Sequence, residues 1–483
     1  MIKNLVGMTT FPDYGQGPDQ SALDGIFFWR AFVDNLEFSE PGGPVRFSPN
    51  VKGRKIDDWM QMVKDKGVDL MWCAQGRLKD QDVAGKANKV MPIVDGADAM
   101  DPANWADYAE LCAQIVIRYW KNTSGDRANV YKDPSNSYFS SPDLVGHGSL
   151  GSIQIGNEVD FPKAWHNGTR TLTATEYAVC FKTCYERIRL ESADVPIVAG
   201  SIISPNLDWM SEFLEAFGNL YEGDAPSDFY LSWHWYMRQK NQDQDWGDDF
   251  GASPEFVDAH NFAKRIDDLV KAYGLLGHYC TETGWADDPD PRSKKQAVPS
   301  QEGYTLSESV AVLAIRTVLA WGSLPHFKGV TFWHCADGYD GHPYWFGGYN
   351  YKRTDPSKND WNIPHPEAGI VDDWLPKPQL NMLNSFINLY GSYSVENSTY
   401  LFDDPVYSCA LVGGDKKYDF FWTDGKNYTD VDDTVFTPMP SAFEEEPTPP
   451  VDEKVIEVTR IENFMGREGN TIDFDTPMKL IIK

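Results

Sequence analysis

No run of 18 apolar residues occurs in this 483-residue chain, so the sequence offers no helix able to cross a bilayer. Positive charge is scarce as well: 43 Lys and Arg stand against 72 Asp and Glu, a formal net charge of −29. Without a basic excess to neutralise phosphates, a nucleic-acid partner is not expected. The same field disfavours strongly anionic polymers and leaves a neutral poly- or oligosaccharide as the better-suited partner. The cysteines number seven, an odd count. Cys73, Cys280 and Cys335 sit in apolar strand-like runs, which reads as buried free thiols rather than a disulfide framework. Cys180 and Cys184, four apart on a predicted helix, lack a nearby histidine pair and make no metal motif. Neither Asp287-Asp288-Pro289-Asp290 nor Asp337-x-x-Asp340-Gly341 has the ligand spacing of an EF-hand loop. A Gly-rich phosphate loop, a zinc pattern and a nucleophilic Ser or Cys elbow are all missing. The chain is therefore expected to work without cofactor or metal. Met1-Ile2-Lys3-Asn4 leads straight into the first strand with no visible signal peptide, so cytoplasmic location and secretion with a removed leader both stay open.

What the chain does contain is an alternation of strand-like and helix-like runs, the α/β pattern. Eight continuously apolar runs read as parallel strands covered on both faces: Asn4–Met8, Ile26–Phe32, Val68–Ala74, Ser152–Asn157, Ile197–Ser201, Phe229–Trp235, Gly277–Thr281 and Gly329–His334. Between them, Ile56, Trp59, Met60 and Val63 repeat at helical spacing, and Asp101-Pro102 opens a helix through Trp105, Tyr108, Leu111, Ile115 and Tyr119. Thr173-x-x-Glu176 is a capping-box pattern ahead of Tyr177 and Phe181, and Ser307–Leu319 is helical before the last strand. After about residue 385 short β-prone runs take over, separated by turn signals such as Gly413-Gly414-Asp415. Residues 386–483 are thus expected to form a β-sandwich-like accessory domain with a Pro- and Glu-rich linker at 441–453.

The chemistry lies at the ends of two of these strands. Ile153-Gln154-Ile155-Gly156-Asn157-Glu158 and His278-Tyr279-Cys280-Thr281-Glu282-Thr283-Gly284-Trp285 each run from apolar strand into a glutamate. Paired carboxylates at strand C-termini are how a retaining glycosidase places an acid/base and a nucleophile. Glutamates after the fourth and seventh strands resemble the clan A (4/7 superfamily) retaining glycoside hydrolases. That resemblance covers residues 1–385 and implies a catalytic (β/α)8 TIM barrel there. It implies Glu158 as acid/base and Glu282 as nucleophile, acting on β-type glycosidic bonds or their α-L equivalents. It further implies that Asn157 holds the sugar 2-hydroxyl, that Arg30 and Tyr236 support Glu282, that His234 belongs to the site, and that Trp333 floors it.

Gln75 and Trp72 on the third strand are weaker candidates, and Tyr344, Trp345, Phe346, Tyr349 and Trp361 in the loop after strand eight could stack sugars or simply pack. In a barrel the loops that follow strands, 75–103, 237–255, 286–304 and 336–378, wall the cleft, whereas 121–149 lies on the far face. The near-absent first helix and the long loops after strands three and eight depart from the family pattern and leave the substrate open. A transglycosylase using the same site and a non-catalytic carbohydrate-binding barrel remain alternatives.

Overall fold

The computed structural model describes residues 1–10, 25–32, 56–74, 93, 96–123, 145–161, 171–203, 206–237, 251–287, 298–299, 304–333, 349–353 and 371–400, with strands at 37–39, 45–47, 406–414, 416–423, 461–463, 468–469 and 478–480. Eight parallel strands close into a barrel: β1 (Val6–Thr10), β2 (Phe28–Phe32), β3 (Asp69–Ala74), β4 (Ser152–Ile155), β5 (Ile197–Ala199), β6 (Tyr230–His234), β7 (Gly277–Thr283) and β8 (Phe327–Phe332). Each strand pairs with its sequence neighbours, and Val6 of β1 stands opposite Val330 of β8 to close the ring. The helices are α1 (Ile56–Asp65), α2 (Ala106–Tyr119), α3 (Ala174–Arg189), α4 (Leu207–Asn219), α5 (Ala259–Ala272), α6 (Leu306–Trp321) and α7 (Pro378–Tyr390). The fold is the expected (β/α)8 TIM barrel. None of the helices among the described residues is long and apolar enough to cross a membrane.

Local chemistry explains where the helices start. The Thr173 hydroxyl accepts from the Glu176 backbone N–H while Glu176 reaches back to Thr173, and Thr305 and Glu308 do the same for α6. Each such cap satisfies amides that the first turn leaves without partners. The first strand begins later than its apolar run suggests. Ile2–Leu5 is a helical turn with Ile2 and Leu5 buried, and its amides bond to the Tyr393 and Gly391 carbonyls just beyond α7. That docking takes Asn4 and Leu5 out of β1.

Inside the barrel, side chains fall in layers. Phe28, Met71 and Val198, packed with Tyr230 and Tyr279, form an apolar floor separate from the main core. Alternate residues of the barrel strands, Trp29, Trp72, Ile153, Ile155 and Trp233, belong to the main core and face outward into the helix layer. Above the floor the inward positions turn polar: Arg30, Gln154, Ser232 and Thr281, all fully or almost fully buried.

Among the described residues of the C-terminal region, six strands form an antiparallel sheet, in the order Ser394–Tyr400, Val406–Gly413, Lys416–Thr423, Met478–Leu480, Ile461–Asn463, Glu468–Gly469. Tyr390 at the end of α7 packs its ring against Tyr418 and Phe420 of that sheet, at centroid distances of 5.6 and 5.5 Å. The expected linker at 441–453 lies outside the described residues.

Candidate active site

The site grows out of Arg30. Its neighbours Trp29 and Ala31 pack outward, so the strand pleat turns Arg30 into the barrel, where it is wholly buried. A charge so placed is tolerated only when its donors are met. Nη1 donates to Glu282 Oε1 at 2.7 Å and to the Thr281 carbonyl at 3.2 Å. Nη2 donates to Asn157 Oδ1 at 2.6 Å and approaches Cys73 Sγ at 3.5 Å. Nε donates to Gln154 Oε1 at 2.7 Å. The guanidinium also lies 4.3 Å from the Phe32 ring centroid, and Trp333 meets that ring edge-on at 5.3 Å.

Glu282 reaches this arginine because β7 is irregular. Cys280 pairs with Trp233 and Val330, but His234 then pairs with Glu282 and Phe332 with Thr283, so the register slips on both sides of the strand. Such a bulge re-aims a side chain, and here both Thr281 and Glu282 serve the same arginine. The second oxygen of Glu282 accepts from the Tyr236 hydroxyl at 2.6 Å. Trp333 is half-buried and anchored by its backbone N–H to the Thr283 carbonyl at 2.9 Å.

Opposite stands the turn after β4. Gly156 at φ +87° and Glu158 at φ +46° both adopt left-handed backbone, which for a glutamate is uncommon and costs about 1–3 kcal/mol. Ser201, just past β5, braces the turn: its hydroxyl donates to Asn157 Oδ1 at 3.1 Å and accepts from the Glu158 amide at 3.4 Å. His234 sits between the two carboxylates, with Nδ1 3.3 Å from Glu158 Oε1 and Nε2 3.5 Å from Glu282 Oε1. One ligand-type atom from each of Glu158, His234 and Glu282 falls within 4.8 Å of the others, so the carboxylates are mutually that close. The trio could meet a cation geometrically, but both Glu282 oxygens already bind Arg30 and Tyr236.

Burial sets the protonation states. It drives the His234 imidazole down to about 3, with Arg30 adding to the fall and Glu282 opposing it, so the ring is neutral near pH 7. Burial, then the Glu282 charge, pushes the Tyr236 phenol well above its ordinary value, which keeps it a donor. For Arg30 burial opposes the charge, and the Cys73, Glu282 and Tyr236 groups outweigh it, raising the guanidinium above its usual range. Asp160, two residues past Glu158, is pushed up to about 7 by burial, with Glu158 adding to the rise and the Ile203 amide, at 2.8 Å, pulling the other way.

All seven residues singled out in the sequence for the site lie at this end of the barrel, with Arg30, Asn157, Glu158, His234, Tyr236 and Glu282 in one bonded or near-contact group. Trp72 does not join them: it faces outward and stacks on Tyr119 of α2 at 5.4 Å, a packing role. Gln75, Tyr344, Trp345, Phe346, Trp361, most of the cleft-wall loops and most of 121–149 lie outside the described residues, as does the Tyr349 side chain. So do the acidic clusters, apart from Asp287. Its carboxylate is taken up by Lys377 at 3.0 Å and Ser307 at 2.5 Å. Gln154, Ser201, Ser232 and Phe32 escaped the sequence reading. Polar residues inside otherwise apolar strands were the available signal for the first and third.

No protein-family profile and no curated protein sequence matches this chain. Solved structures do match in three dimensions. A glucosidase from Croceicoccus marinus shares 12% identity at a TM-score of 0.52, over 88% of this chain and 75% of that one. A monomeric β-xylosidase from Caulobacter crescentus shares 14% at 0.51, over 88% and 74%. A GH39 enzyme from Xanthomonas axonopodis pv. citri shares 14% at 0.50, over 87% and 71%. At these identities the likeness is one of fold, and this chain has the barrel architecture on which those enzymes are built.

Proposed function

We propose that the protein is a retaining glycoside hydrolase that cleaves β-type bonds of an oligo- or polysaccharide, with Glu158 as acid/base and Glu282 as nucleophile. The observation that carries the reading is the approach of the two carboxylates to within 4.8 Å, with Arg30 and Tyr236 fixed on Glu282. Retaining pairs stand about 5–5.5 Å apart, whereas inverting pairs need about 6.5–9.5 Å to admit a water.

The chemistry follows from the charges. Glu282, bonded to one guanidinium and one phenol, attacks the anomeric carbon while Glu158 passes its proton to the departing glycosidic oxygen. The bond to the leaving sugar breaks as the bond to Glu282 forms. Glu158, now ionised, takes a proton from water, and the resulting hydroxide releases the sugar with its original anomeric configuration. Asn157 has its carbonyl oxygen engaged by Arg30 and Ser201, which turns its NH2 donor toward a sugar 2-hydroxyl. Trp333 offers a flat apolar face beneath the reacting sugar. Catalysis is assigned to residues 1–385 and an accessory role to 386–483. Two of the fold neighbours, a glucosidase and a β-xylosidase, act on this class of substrate.

Trapping tests it directly. A 2,4-dinitrophenyl 2-deoxy-2-fluoro-β-glycoside should leave one fluoro-sugar on the protein, and peptide mass spectrometry should find it on Glu282. Turnover of ordinary β-glycosides without any adduct, or an adduct on another residue, would defeat the assignment.

A further inference from the structure

We infer that Gln154 and Ser232 form a positioning relay that holds Arg30 against the nucleophile, an inference that rests on the role of Glu282 proposed above. The guanidinium is wholly buried, so its orientation is set by its acceptors. Four of its five N–H groups point at Glu282, Thr281, Asn157 and Cys73, around the site itself. The fifth, on Nε, points away and is met by Gln154 Oε1 at 2.7 Å.

That acceptor is itself anchored. Gln154 Nε2 donates to Ser232 Oγ at 3.0 Å, and Ser232 Oγ donates to the Ala199 carbonyl at 2.6 Å. The chain therefore runs from the backbone of β5 through β6 and β4 to β2, with a donor and an acceptor assigned at each of its three links. Because Ser232 spends its one proton on Ala199, Gln154 can only present its NH2 to Ser232 and its oxygen to Arg30, so the amide cannot turn over. Gln154 is fully buried and Ser232 nearly so, whereas the interior layer below is apolar, with Met71 and Val198. A space-filling role would suit a leucine, without the cost of burying an amide. The neutrality of Gln154 matters too: a second carboxylate here would draw the arginine's charge away from Glu282.

Two variants test the relay, Gln154→Leu and the milder Ser232→Ala, which lies two hydrogen bonds from Arg30. Two readouts are followed in the full-length protein. One is the 15N–1H signal of Arg30 Nε, assigned by its loss in Arg30→Lys. In the parent it should exchange slowly with water, and in both variants it should shift and exchange at least about tenfold faster. The other is inactivation by the 2-fluoro glycoside: its maximal rate constant should fall about tenfold while its concentration dependence changes less than about twofold, the pattern of a nucleophile held less well for attack. Parent-like behaviour in both readouts, with only the melting temperature lowered, would reduce Gln154 to packing and overturn the proposal. A change in Gln154→Leu but none in Ser232→Ala would overturn the relay through Ser232. If the parent takes up no fluoro-sugar at all, the glycosidase reading fails, while the Arg30 signal still decides whether Gln154 and Ser232 hold the arginine.

Discussion

Replacing Glu158 by alanine should separate substrates by their leaving groups. On the proposed mechanism the residue donates a proton in the first step and accepts one in the second. General acid catalysis contributes about 10²–10⁴-fold, or about 3–5 kcal/mol of barrier for a natural sugar leaving group. A dinitrophenolate departs without a proton, so with that aglycone the first step should survive while the second, lacking its base, slows. The glycosyl-enzyme should then accumulate, and kcat and KM should fall together. The geometry adds a stricter test. The Glu158 side chain is 16% exposed, so its removal opens a slot beside Asn157, Ser201 and His234 that reaches the cleft and suits a small anion. Azide should enter that slot, restore turnover and yield the β-glycosyl azide, seen by proton NMR of the product. In Glu282→Ala the same anion should occupy the opposite face and give the α-azide. Equal losses on natural and dinitrophenyl substrates, or an α-azide from Glu158→Ala, would refute the assignment of roles.

Tyr236→Phe removes the 2.6 Å bond to Glu282 Oε2 and should lower kcat by about 10- to 100-fold with little change in KM, for a stability cost of about 1 kcal/mol by urea unfolding. Asp160 has a folded-state value of about 7, above its ordinary 3.8, so it costs stability increasingly as pH rises between those values. Asp160→Asn should keep the Ile203 contact and raise the melting temperature at pH 8 but not at pH 4, the difference being of the order of 4 kcal/mol; equal melting shifts at both pH values would contradict this. Asp267 runs the other way. Burial pushes it up, but His278 and His326 outweigh that and hold it at about 2, below 3.8. Its stabilisation is present above pH 4 and lost as pH falls toward 2. Allowing for solvent screening, Asp267→Asn should cost about 1–2 kcal/mol at pH 7 and almost nothing near pH 2, leaving kcat unchanged because the residue braces the starts of β7 and β8.

The eight strands were legible because parallel strands buried on both faces read as apolar runs, and the glutamates because a carboxylate rarely ends such a run without a task. The same property hid other features. A continuously apolar strand does not announce which residues point inward, so Trp72 read as a site candidate although the pleat sends it to α2. The bulge in β7 carries no Gly or Pro within Tyr279-Cys280-Thr281-Glu282, and only pairing on both flanks exposes it. Asn4 and Leu5 continue the hydrophobic run into Val6, so their helical turn follows from docking against residues 391 and 393, some 390 positions away in sequence. Gln154 and Ser232 were readable in principle, as polar residues inside apolar strands, but their partners belong to four different strands and become neighbours only when the barrel closes.

Charge balance ties the buried arginine to the proposed reaction cycle. Two unit charges within 4.8 Å of each other repel by at least about 3 kcal/mol at an effective dielectric of about 20. Arg30 is bonded to Glu282, and the proposed mechanism avoids that repulsion by starting with the anion there and the proton on Glu158. When Glu282 becomes an uncharged ester and Glu158 gives up its proton, the anion moves to Glu158, and the charge balance with Arg30 is kept among the described residues. His234 lies against both carboxylates yet stays neutral, since burial holds it near 3, so it can bond to whichever is charged without upsetting the balance. A cation in its place would break that symmetry. His234→Lys should stabilise both carboxylates as anions, withdraw the proton from Glu158 and depress the first step far more on natural substrates than on dinitrophenyl ones. His234→Gln, neutral and able to bond, should show little of that selective loss, and equal losses in the two variants would show that charge is not what His234 is there to control.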